Sequence, residues 1–94
     1  MPGKFDTVPI EPDTKLLSQR EGSIGDINAL YQQWCWDGVT AESIIFTNED
    51  VANLSDSELE DEVRSSGLVK PDSEITLKRD QEGFTFANFN FESE

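Results

Sequence analysis

The sequence predicts a small α+β domain, with two or three short helices packed on a C-terminal β-hairpin or small antiparallel sheet. Three observations predict it. Apolar residues at helical spacing run from Ile24 to Trp34. Ser55 and Glu58 stand three apart ahead of Leu59 and Val63, the spacing of a capping box. Beyond Pro71 the period shortens, and "SEITLKRD" and "GFTFANFNF" read as strands about the turn-like "DQEG".

The elements follow in order. Residues 1–22 hold Pro2, Pro9 and Pro12 between short apolar pieces, so they read as an extended arm with at most one short strand near "FDTVPI". Residues 23–94 form the single domain. Ser23 caps the first expected helix, and Asp26 suits its first turn. Ile24, Ile27, Leu30, Tyr31 and Trp34 make its apolar stripe, and Gly38 stops it. "VTAESIIFT" fits either a short strand through Ser43–Thr47 or a helical turn. Thr47 and Asp50 resemble a second cap ahead of "NEDVANL", and Gly67 ends the helix that Ser55 begins. In the last strand Phe84 and Phe86 share one parity, Phe89 and Phe91 the other. A bulge at Ala87-Asn88 would restore one face; otherwise both faces of the sheet are covered.

Ninety-four residues with 35% hydrophobic content make a thin core, to which six Phe, two Trp and one Tyr supply most of the area. The single cysteine excludes an internal disulfide, and with no histidine there is neither a Cys/His zinc set nor a nucleophile–histidine pair. No Gly-rich phosphate loop is present. The chain therefore reads as no enzyme, with no cofactor and no metal. Residues 1–20 carry no apolar run suited to a signal peptide, and no run is long enough to span a membrane, so a reducing, cytoplasmic compartment is expected.

Twenty acids against seven bases give a formal net charge of −13. Such a surface repels DNA, RNA and anionic lipid and attracts basic proteins, so direct binding to nucleic acid or membrane is not expected. The charge is polarised. Between Arg20 and Arg64 there is no Lys or Arg, and that span holds eleven acids. In Asp56, Glu58, Glu60, Asp61 and Glu62 the acids fall around a helix and not on a calcium-type loop, which reads as a solvated face.

"YQQWCWDG" sets two tryptophans about Cys35. On the expected helix Trp34 belongs to the core, and Cys35 is a half-buried structural thiol. Trp36 points off the apolar arc. It is either an exposed interface anchor or a ring folded under the Asp37-Gly38 turn. The expected function is a non-enzymatic regulator or inhibitor that occludes a basic partner through Trp36, Asp37, Glu49, Asp50, Asp56, Glu58, Glu60, Asp61 and Glu62. One alternative is a nucleic-acid mimic that blocks a DNA- or RNA-binding enzyme. Another is a structural subunit or homodimer that docks through the C-terminal strand.

Overall fold

The computed structural model describes Phe5 and residues 13–93. Half of the expected arm, including its three prolines and the "FDTVPI" strand apart from Phe5, lies outside the described residues. Over the described residues the fold is a five-stranded antiparallel sheet with one short helix. In chain order it runs β1 Lys15–Ile24, β2 Ile27–Trp36, β3 Val39–Thr47, α1 Asp56–Ser65, β4 Thr76–Arg79 and β5 Phe84–Ser93. The strand order is β1-β2-β3-β5-β4, so β5 is inserted between β3 and β4.

The predicted two or three helices on a hairpin are therefore overturned. The segment 23–36 is no helix but the β1–β2 hairpin turn followed by β2. Ile24 pairs with Ile27 across a two-residue loop, and Gly25 at φ 60 supplies the positive φ that a type II′ turn needs at its first position. Asp37 (φ 48) and Gly38 (φ 76) then close the β2–β3 hairpin with the two positive φ values of a type I′ turn. Residues read as a helix stop are thus a hairpin loop. The second expected helix, over "NEDVANL", is a pair of turns closed by Asp50 N–H to Thr47 O (3.1 Å) and Leu54 N–H to Val51 O (3.1 Å). β1 also takes up Lys15–Gly22, residues expected in the arm.

The sheet is covered on one face by α1 and the chain that follows it. Ile24, Ala29, Ile44, Phe46, Ala87 and Phe89 meet Val51, Leu59 and Val63 there. Burying Leu59 and Val63 contributes about 1.5–3 kcal/mol each. The opposite face has its own smaller cluster of Leu30, Ile45, Phe84 and Phe5, whose ring lies 6.5 Å from that of Phe84. β2 is therefore apolar on both faces, with Ala29 and Tyr31 to the helix side and Leu30 and Trp34 to the other. Two superposed period-2 patterns merge into the stripe that imitates a helix.

The C-terminal hairpin stands as expected, with its bulge elsewhere. Phe89 pairs with Glu42 and Glu92 with Thr40, so Asn90 and Phe91 oppose Ala41 alone. Asn90 is the extra residue, in the left-handed region at φ 53. Phe84, Phe86 and Phe91 share one face and Phe89 packs on the other; both faces are covered and the bulge lies at Asn90, not at Ala87-Asn88. Asn90 also ties down the chain after α1. It accepts from Lys70 N–H (3.0 Å), donates to Leu68 O (3.1 Å) and to the Glu42 carboxylate, and its own N–H donates to Ser73 Oγ (2.7 Å).

Candidate functional site

The acidic surface begins with the cap of α1. Glu58 N–H donates to Ser55 Oγ and Ser55 N–H to Glu58 Oε1, both at 3.1 Å, a complete capping box. Leu59 and Val63 turn to the sheet, so Asp56, Glu58, Asp61 and Glu62 are exposed and Glu60 is half-exposed. Asp56 and Glu58 in the first turn also suit the helix dipole.

Three bases face acids among the described residues, and the two arginines also bond to backbone carbonyls. Arg79 Nε meets Asp56 at 3.0 Å while its other nitrogens donate to Leu54 O (2.8 Å) and Val51 O (3.4 Å), which clamps the turn before α1 to β4. Arg64 meets Glu60 at 3.3 Å one helical turn away, an exposed pair of small net worth. Lys70 pairs with Glu92 far from the helix; its pKa is raised, first by that hydrogen bond and then by the charge of Glu92. Asp61 and Glu62 make no ion pair among the described residues. Glu49 and Asp50 lie exposed in the turn that leads from β3 towards the helix. The acids from Glu49 to Glu62 thus lie on the turn after β3 and on the helix that follows it.

Trp36 and Asp37 do not join them. α1 packs at the end of the sheet marked by the β1–β2 turn, where a Cβ on Gly25 would sit 3.0 Å from Glu62 Oε2. Trp36 and Asp37 stand at the other end of β2, ten residues away, or about 30 Å at the usual strand rise. Trp36 is 47% exposed, and so is an exposed ring, not one folded under its turn. Phe91 is 48% exposed and meets Trp34 edge-on at 6.1 Å. Trp34, expected in the core, is half-buried, and its Nε1 donates to Ser43 Oγ at 2.7 Å.

Cys35 is half-buried on β2, opposite Lys15 and Thr40. Among the described residues no group of His, Cys, Asp or Glu is placed to hold a metal ion, and no helix is long and apolar enough to cross a membrane. β5 has β3 on one side and β4 on the other over Thr85–Asn88, so among the described residues the free edges of the sheet are β1 and β4. Sequence reasoning missed the β1 edge and the groove beside it. The Asp-Gly pair at 37–38, a hairpin signal, was the clue to the strands that build them.

No family model, no curated protein and no solved structure matches the chain.

Proposed function

We propose that the protein is a non-enzymatic acidic binding module that occludes a basic partner with the outer face of α1 and the turn before it. One observation carries this reading. The helix turns Asp56, Glu58, Glu60, Asp61 and Glu62 away from the sheet, and Asp61 and Glu62 have no cation beside them among the described residues. A face of one sign raises the rate of encounter with a basic surface and orients it. Trp36 lies too far off to share the contact, so the apolar anchors must come from the partner's fit to the helix and not from that ring. A reducing, cytoplasmic setting, in which Cys35 stays a thiol, suits the module.

The test compares two baits, the wild type and Glu58→Gln/Asp61→Asn/Glu62→Gln. Gln at 58 keeps the capping box, so the fold is preserved. A basic protein retained by the wild type, released by salt and lost from the neutralised bait supports the reading. Equal retention by both baits refutes it. Release by added duplex DNA would assign the partner to the nucleic-acid-binding proteins and the module to their mimics.

A further inference from the structure

The two free edges of the sheet are unequal. β4 is four residues long, carries Lys78 and Arg79, and is clamped by the bonds of Arg79. Short length and cations are the usual protection of an edge. β1 is ten residues long, and from Ser18 to Ile24 it keeps unbroken register with β2 after a bulge at Leu17. Alternate residues of that stretch turn N–H and C=O away from β2, with no sheet partner among the described residues.

On the helix side of this edge lies an apolar groove of about 230 Å³, lined by Gly22, Ile24, Ala29, Tyr31, Ile44 and Leu68. It adjoins a second depression of about 330 Å³ that shares Ile24 and Leu68 and is bounded by Glu62 and Ser65. At the rim the Arg20 guanidinium stands 5.1 Å over the Tyr31 ring. In a chain with twenty acids it makes no ion pair among the described residues. Glu21, next to it, also lines the groove, but its register with Leu30 sets its side chain on the opposite face.

We propose that this edge binds the C-terminal tail of a partner protein, added antiparallel to β1. The last side chain is apolar and enters the groove beside Gly22. The terminal carboxylate meets Arg20, as a charge-assisted pair. Two residues back, one strand repeat towards Ile24, a lysine or arginine reaches Glu62. The main chain takes the free N–H and C=O groups of β1, and alternate side chains set specificity. Complementary charge at both ends of the contact fixes the direction of the tail. The inference shares Glu62 with the acidic-face reading, but Arg20, Gly22 and the β1 edge lie outside that face, and the variants at Arg20 and Gly22 test it separately.

The experiment is titration of the intact protein with labelled acetyl tetrapeptides, read by fluorescence anisotropy. The panel ends in Val, Leu or Phe, carries Lys or Glu two residues before, and has a free or amidated C-terminus. A free-acid peptide with Lys is expected to saturate, with the amide and the Glu peptide each at least tenfold weaker. Gly22→Val should abolish binding. A Cβ there meets no atom within 4 Å, and Gly22 is not among the glycines with positive φ, so the fold accepts the side chain that fills the groove mouth. Arg20→Gln should erase the difference between acid and amide, while Glu58→Gln/Asp61→Asn leaves it unchanged. Saturation by no peptide, equal binding of acid and amide by the wild type, or full binding by a folded Gly22→Val would overturn the proposal.

Discussion

Replacing Asn90 by alanine should be among the most damaging single changes outside the apolar core. Asn90 is 8% exposed, holds φ 53, and binds three groups through its side chain. Alanine keeps the backbone bond to Ser73 but resists the left-handed region, which costs about 1 kcal/mol. Lys70 N–H and Leu68 O lose their partner at sites water can partly reach, about 1 kcal/mol each, and Glu42 loses a donor for about as much. The sum is about 3–4 kcal/mol, against a total stability of about 5–14 kcal/mol for a chain this long. Urea unfolding followed by tryptophan fluorescence measures it, since Trp34 meets Phe91 just past the bulge. Asn90→Asp is the sharper control. It retains the left-handed tolerance and the acceptor for Lys70 N–H, but sets an anion against Glu42. It should be as unstable as the alanine variant at neutral pH and regain part of the loss, relative to wild type, as the pH falls through the carboxylate range. An Asn90→Ala variant within about 1 kcal/mol of wild type, or an Asp variant whose deficit ignores pH, would refute the role given to this residue.

Arg79→Met keeps the stem of the side chain but removes the bonds to Leu54 O, Val51 O and Asp56; chemical denaturation should show a loss of about 1–3 kcal/mol, with faster amide exchange over residues 51–56. Gly25→Ala forces an L side chain into φ 60, and thermal unfolding should register about 1–2 kcal/mol, the nearby Glu62 carboxylate swinging aside. The Lys70 pair gives a pH dependence of known sign. Its folded pKa is raised above the ordinary lysine value, so its contribution is complete below that value and is lost as pH rises through the raised one. NMR titration of the Lys70 ammonium should return the ordinary value in Glu92→Gln.

Several elements were legible in the residues alone because their signals are local. The capping box at Ser55 needs only its own turn, and the change to period 2 after Pro71 marks β4 and β5. The acidic helix face followed from these, since Leu59 and Val63 leave the acids the outer positions. What failed was β2. A strand covered on one face alternates cleanly, but Ala29, Tyr31, Leu30 and Trp34 serve two faces, and their sum at Ile24–Trp34 resembles a helix. Ile24, Ile27, Tyr31, Trp34 and Trp36, and the Asp37-Gly38 pair, were the competing signals.

The sequence by itself thus determined the charge, the capped acidic helix and the C-terminal hairpin, because each depends on residues within a few positions of one another. Tertiary structure alone decided that residues 15–36 pair as strands, that the bulge falls at Asn90, and that Trp36 stands at the end of β2 away from the turn that Glu62 approaches. Those outcomes rest on hydrogen bonds and burial between segments far apart in the chain, and on a sheet with cover on both faces, which no local period reveals.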